Sequence, residues 1–531
     1  MTMIDTRTAP RRGSTWGGRP RRARSAERLR RWLLTFAVLG AAVPTLAFAP
    51  TAAAGNGYDP GNDPYSMKAL TDITGATAFW DQGITGAGVD VALIDTGVSP
   101  VEGLAGQGKI VNGPDLSLES QAPDLTHLDT NGHGTFMAGL IAGHDSALTA
   151  PYSAAPASAY RGIAPDARIV NVKVGTADGG VDVTQVIAAI NWVIDHKNDN
   201  GLNIRVLNLS YGTNSTQSAI SDPLSHAAER AWKAGIVVVA AAGNTGYQRG
   251  ANAPGLADPA YNPYVLAVGG YDTNGTRQER DDSMGSYSAS ANVRGARRPD
   301  LAAVGTKLQG LRVPNSFIDT QSGGGRLGDR YFRGTGTSEA AAIASGTVAL
   351  LLQKYPNMSP DQVKRMLKAS ARPLRGSDPS TQGNGAVNCG WLAWATPPVN
   401  FGQNHPAADG MGSVERARGR DHLTMNGVVL QGEIDIFGKP FAPGTSGTSW
   451  SGGDWNGSTW SGSSWSGSSW SGSTWSGSSW SGSTWSGSSW SGSTWSGSSW
   501  SGPTWSGSSW SGSSWSGSSW SGGVWATSAW G

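Results

Sequence analysis

Four polar residues stand where a short apolar run meets a glycine-containing turn. Asp95 closes "VDVALID", His133 sits in "DTNGHGTFMAGLIAG", Asn244 ends "IVVVAAAGN", and Ser338 lies between the two halves of "GTGTSEAAAIASG". Singly, each has an ordinary role. An aspartate opens a turn, an asparagine tolerates a left-handed one, and a histidine accepts a buried hydrogen bond. A serine before an alanine-rich run caps a helix. Together they supply what acyl transfer by a nucleophile requires: a hydroxyl, an imidazole to take its proton, and a carboxylate to fix the imidazole's tautomer. The Asn244 amide and the Ser338 backbone N–H add donors for an oxyanion, and a helix start at Ser338 adds the positive end of a dipole.

The elements between these residues read as α/β. Residues 89–95, 167–174, 204–210, 236–242 and 264–270 are β-branched, nearly continuous apolar runs, as expected for strands of a parallel sheet buried on both faces. Residues 182–197 repeat apolar side chains at three- and four-residue steps, and residues 219–235 end at Gly235, a helix stop. A doubly wound, mostly parallel sheet flanked by helices places loops and helix starts at the carboxyl ends of its strands. All four polar residues fall there.

The blocks "VALIDTGV", "NGHGTFMAG", "AAAGNTG" and "GTGTSEAAAIASGTVALLL" resemble, in order and spacing, the four signature blocks of subtilisin-like serine proteases, the subtilase family. The resemblance spans roughly residues 58–420 and takes in "RGIAPDARIVNVKV", "LNLSYG" and "RRPDLAAVGT". It implies a subtilisin-like fold and an endopeptidase. Asp95 then orients His133, His133 is general base and then acid, Ser338 is the nucleophile, and Asn244 with the Ser338 N–H holds the oxyanion. Ser210 and Gly212, in "LNLSYG", become candidate substrate-binding residues beside an extended peptide. No cofactor is required for catalysis. Structural calcium is frequent in the family, but no ligand set can be matched here and no metal residues are assigned.

The chain departs from the family pattern in two places. Relatives commonly follow the nucleophile with methionine, whereas this chain has Glu339, whose carboxylate would raise the histidine pKa if it pointed inward. Many relatives carry an inhibitory prodomain, yet only a few dozen residues separate Gly55 from Asp95, and "DPYSMKALTDITGATAFWDQGITGAGVD" already resembles the start of the catalytic unit. Maturation without a conventional prodomain is the expectation. A related family with a glutamate base and an oxyanion aspartate is disfavoured by His133 and Asn244, and an esterase by the lack of a Gly-x-Ser-x-Gly elbow around Ser338.

The ends of the chain differ in kind from its middle. Residues 1–31 hold ten arginines against Asp5 and Glu27, and "WLLTFAVLGAAVPTLAFA" with Ala52 and Ala54 follows, so residues 1–54 read as an export signal region. A secreted or cell-surface location is expected. The basic excess is confined to that stretch and the net charge is +2, which argues against nucleic acid as a partner. Cys389 is the single cysteine, so no intramolecular disulfide can form. Residues 55–425 are assigned to the catalytic domain, 426–449 to a linker, and 450–531 to a low-complexity repeat tail with 17 tryptophans, one every fifth residue. A period of five suits neither a continuous strand nor a helix. The tail reads as a flexible Gly/Ser segment with exposed rings, as a surface that contacts cell wall, glycans or itself, or as a regular coil. Two function classes follow: a protease acting on protein or peptide substrates, or a surface-binding protein whose tail does the work on a degenerate protease scaffold.

Overall fold

The computed structural model describes residues 57–122, 124–248, 255–293, 296–399, 401–425 and 428–441, together with short strands between residues 449 and 515. The expected export signal region, 1–54, lies outside the described residues.

Eight strands form the main sheet: β1 (Asp90–Asp95), β2 (Ile110–Asp115), β3 (Arg168–Lys173), β4 (Ile204–Leu209), β5 (Val237–Ala241), β6 (Leu266–Asp272), β7 (Ser283–Met284) and β8 (Leu301–Val304). Their order is β2-β3-β1-β4-β5-β6, with β7 antiparallel and β8 parallel on β6, and all other pairs parallel. From β1 the chain turns to one side of the sheet for β2 and β3, and from β4 it proceeds to the other. The carboxyl ends of the neighbouring β1 and β4 therefore flank the switch point at which such sheets place their sites.

Up to residue 370 the α-helices among the described residues are α1 (Met67–Thr74), α2 (Thr77–Trp80), α3 (His133–Ala142), α4 (Val183–Asp195), α5 (Pro223–Lys233), α6 (Phe317–Gln321), α7 (Thr337–Lys354) and α8 (Pro360–Ser370). A small antiparallel sheet of β9 (Leu308–Leu311), β10 (Arg326–Leu327) and β11 (Tyr331–Gly334) precedes α7. Helix α7 is buried from Thr337 to Leu352 and packs on α3, β4, β5, β6 and β8. Its alanines and Gly346 allow that depth, because a Cβ on Gly346 would come within 2.6 Å of the Ile163 Cβ.

The strands legible as apolar runs are buried on both faces, β1 and β5 along their whole length. Helix α4 is capped by Asp182 and Gln185 in a reciprocal box, and α5 stops before Gly235, whose φ of 90° lies in the left-handed region. Strand β2 has no apolar signature because it is an edge strand with Gly113 and Pro114, residue types that central strands avoid.

The segment expected to be a linker from residue 426 contributes to the core. Leu430, Ile436 and Phe437 are buried, and the buried Arg418 donates to the Gly432 and Ile434 carbonyls while pairing with Asp182 at 2.6 Å. Beyond it, the described tail residues form antiparallel strand pairs with Trp455 opposite Trp460, Trp470 opposite Trp475, Trp490 opposite Trp495, and Trp510 opposite Trp515. Two residues, Gly472 and Ser473, separate the paired Ser471 and Thr474 in sequence.

Candidate active site

Asp95 is the last residue of β1 and His133 the first of α3. Asp95 Oδ1 lies 2.7 Å from His133 Nδ1 and accepts the Thr96 N–H at 2.8 Å. An ionised carboxylate only accepts, so the network assigns the hydrogen to Nδ1 and leaves Nε2 as the basic atom of the neutral ring. Both side chains are buried. Burial by itself lowers the His133 pKa, but Asp95 above all, then Glu339 and Asp129, more than offset this and raise it to about 9.

Helix α3 is held in that place by a splice between its first turn and the end of β1. Asp129 Oδ1 accepts the N–H groups of Asn131 at 3.2 Å and Gly132 at 2.7 Å, and Oδ2 accepts that of Thr135 at 2.7 Å. Thr96 Oγ1 donates to Asp129 at 2.8 Å and accepts the Gly134 N–H at 2.9 Å. With the His133 N–H donated to Asn131 Oδ1 at 3.2 Å, the orphan amides of the first turn are satisfied although the N-cap, Gly132, has no side chain to offer. A Cβ on Gly134 would collide with the Gly97 carbonyl oxygen, so a glycine there is what lets α3 approach β1.

Ser338 is the second residue of α7, inside the helix rather than at its cap, which is Gly336. Its Oγ donates to the Ser210 carbonyl at 3.2 Å, and the Ser210 hydroxyl donates to the Ser338 carbonyl at 3.2 Å. Asn208 Nδ2 donates to the Ser210 hydroxyl at 2.9 Å, and Ser345 donates to Asn208 Oδ1 at 2.8 Å. These bonds key α7 to β4. The capping role open to Ser338 in sequence belongs to Asn244, whose Oδ1 accepts the Thr337 N–H at 2.9 Å and the Thr337 hydroxyl at 3.0 Å. Commitment of Oδ1 leaves the Nδ2 hydrogens as the donors of that side chain.

The model of the subtilase family matches residues 86–387, more than half of the chain and the part that contains all four residues. The chain belongs to the subtilase family. Serine protease AprX of Bacillus subtilis (strain 168) is 37% identical over 311 residues, 58% of this chain and 66% of that protein. Subtilisin DY of Bacillus licheniformis is 31% identical over 308 residues, 58% of this chain and 91% of that protein. A thermostable alkaline protease of Halalkalibacterium halodurans is 30% identical over 314 residues, 58% of this chain and 69% of that protein. By class the chain is a serine-type endopeptidase, a hydrolase.

In this subtilase Gly212 lies in a segment paired with Asp258 through two backbone bonds, Thr213 N–H to the Asp258 carbonyl at 3.0 Å and Asp258 N–H to the Thr213 carbonyl at 2.9 Å. A Cβ on Gly212 would approach the Ala257 Cβ to 2.8 Å. Ser210 is buried, with both its hydroxyl and its carbonyl engaged by Ser338. Asp129, Thr96 and Thr337 also build the site, although sequence reasoning did not single them out. Asp129 carried a weak signal, an aspartate four residues before His133 in a glycine-containing loop. Among the described residues no group of three or more His, Cys, Asp or Glu could hold a metal ion, so the calcium expectation acquires no ligands.

Proposed function

We propose that this subtilase is an exported endopeptidase that cleaves extended protein segments through Asp95, His133 and Ser338. The observation that carries the reading is the buried Asp95–His133 bond at the switch point of the sheet, beside a helix whose second residue is Ser338. The scheme is that of the Ser-His-Asp triad, for which subtilisin is itself a reference case. His133 Nε2 accepts the Ser338 hydroxyl proton as Oγ attacks the scissile carbonyl, and Asp95 stabilises the imidazolium. The Asn244 Nδ2 hydrogens and the Ser338 N–H face the developing oxyanion, aided by the dipole of α7. The imidazolium then protonates the leaving amine, and water, activated by the same imidazole, releases the acyl group. None of these steps calls on a cofactor.

In this reading the substrate backbone runs beside residues 210–212, beyond the end of β4, with Ser210 and Gly212 at the subsites. Residues 1–54 direct export, and the protein acts outside the cell or at its surface. The tail contacts cell wall, glycans or itself, and the tryptophan-opposite-tryptophan register gives the last of these a structural basis.

A fluorophosphonate probe tests the core of the proposal. The expected result is an adduct on Ser338 in the folded wild-type protein and none in Ser338→Ala. Absence of the adduct from folded wild-type protein would leave the surface-binding reading in its place.

A further inference from the structure

Glu339 follows the nucleophile in the chain, and its side chain is turned inward. It is 6% exposed. The carboxyl lies over Gly334 at the end of β11, where an added Cβ would collide with Oε1 and would approach the Phe136 ring to 2.6 Å. Oε2 has no hydrogen-bond partner among the described residues. The titratable groups that face it are His133 from α3, Asp95 from β1 and Tyr287 from the loop after β7, and the Tyr287 hydroxyl is bonded to Thr306 at 3.1 Å. His133 in turn is faced by Asp95, Glu339 and Asp129.

A carboxylate buried against an aromatic ring without a full set of donors is costly unless a cation compensates it. The group in this surrounding that can become a cation is the His133 imidazole. We propose that Glu339 is a second buried carboxylate beside the catalytic imidazole, a positioning residue that steadies the imidazolium formed when Ser338 attacks. This rests on the protease reading for its catalytic half, and for its acid–base half on the burial of the Glu339 carboxyl beside Phe136, one turn of α3 beyond His133, together with the electrostatic influence of each group on the other.

Burial raises the Glu339 pKa to about 7, opposed by His133, while that of His133 stands at about 9. Below neutrality Glu339 is neutral and His133 charged. Between the two values they form an ion pair, and only above the higher one is Nε2 free to accept the Ser338 proton. During turnover the Oγ–C bond forms, the carbonyl electron pair moves to oxygen, and the hydroxyl proton goes to Nε2 and later to the leaving nitrogen as the C–N bond breaks. Glu339 neither gains nor loses a proton in this sequence, so its effect is that of a fixed charge.

Glu339→Gln keeps the shape and removes the charge. In a Ser338→Ala background with isotopically labelled histidine, the NMR titration of His133 is expected to move about one pH unit or more to lower pH on adding Glu339→Gln. In the active enzyme the acid limb of kcat/KM moves down by the same amount while the alkaline plateau falls, so the two pH profiles cross. Glu339→Met, should the glutamine variant fail to fold, gives the same downward shift, and Glu339→Asp restores the wild-type limb. A His133 titration unchanged in the neutral variants overturns the proposal, as does a uniform loss of activity with an unmoved limb. A shifted titration in a protein whose wild type hydrolyses nothing upholds the His133–Glu339 pairing and removes the protease reading instead.

Discussion

The Asn244 side-chain carbonyl accepts the Thr337 backbone N–H at 2.9 Å and the Thr337 hydroxyl at 3.0 Å. The residue proposed to stabilise an oxyanion is therefore also the N-terminal partner of the helix that carries the nucleophile. Two substitutions separate these roles. Asn244→Ala removes both the donor and the acceptor, and kcat is expected to fall about 100- to 1,000-fold, the loss known for such an amide in subtilisin. Asn244→Asp keeps the acceptor for Thr337 but puts negative charge where the oxyanion forms, so its kcat falls further while its melting temperature stays above that of the alanine variant. An aspartate variant as active as wild type would exclude Asn244 from the oxyanion hole.

Asp129 gathers three backbone amides and the Thr96 hydroxyl at the start of α3. In Asp129→Asn one of the two oxygens becomes a donor group that cannot accept, and at least one buried N–H loses its partner. The cost is about 1–3 kcal/mol. Thermal unfolding should therefore begin several degrees lower, and kcat should fall more than KM changes, because the helix that aims His133 is loosened. A variant with wild-type melting temperature and kcat would show that Gly132 and Gly134 alone hold the turn.

What could be read from the sequence follows burial symmetry. Strands β1, β3, β4 and β5 are covered on both faces, so their apolar runs stand out, and α4 announces itself through Asp182 and Gln185. The edge strand β2 and the short β9–β11 sheet have no such pattern, since tertiary contacts decide their conformation. The same division holds at the site. Asp95, His133, Asn244 and Ser338 are conspicuous because each interrupts or ends an apolar run. Asp129, Thr96 and Thr337 are short polar residues in glycine-containing loops, where local turns offer equally good partners, and only the meeting of α3, α7 and β1 selects among them. Ser338 shows the limit most plainly, because a serine at a helix start fits a cap as well as a nucleophile when read alone, whereas in the structure Gly336 is the cap and Asn244 accepts the Thr337 N–H.

Asp258 is fully buried, and neither carboxyl oxygen has a hydrogen-bond partner among the described residues. Burial above all, reinforced by the neighbouring Asp222, raises its pKa well above the ordinary carboxylate range, so Asp258 keeps its proton. The folded state then binds a proton that the unfolded chain has released above about pH 4, and stability must fall as pH rises from there toward the folded pKa. Asp258→Asn supplies a permanent donor. Its melting temperature relative to wild type is expected to climb steadily as pH rises above about 4 into the alkaline range. Calorimetry across that range checks it, and a difference independent of pH would mean that Asp258 is ionised in the folded protein.

Two truncations locate the end of the folded unit. The core cluster runs through Leu430, Ile436 and Phe437, and the buried Arg418 depends on the Gly432 and Ile434 carbonyls as well as on Asp182. Ending the chain after Phe441 keeps all of these, and the melting temperature and kcat/KM on a short peptide should match the full-length protein. Ending it after Met425 exposes apolar surface and leaves Arg418 buried with part of its donors unanswered, at a cost of several kcal/mol. That shorter protein should unfold many degrees lower or fail to accumulate in soluble form. Equal stability of the two would place the end of the domain before Leu430 and make the packing of residues 428–441 an accessory contact.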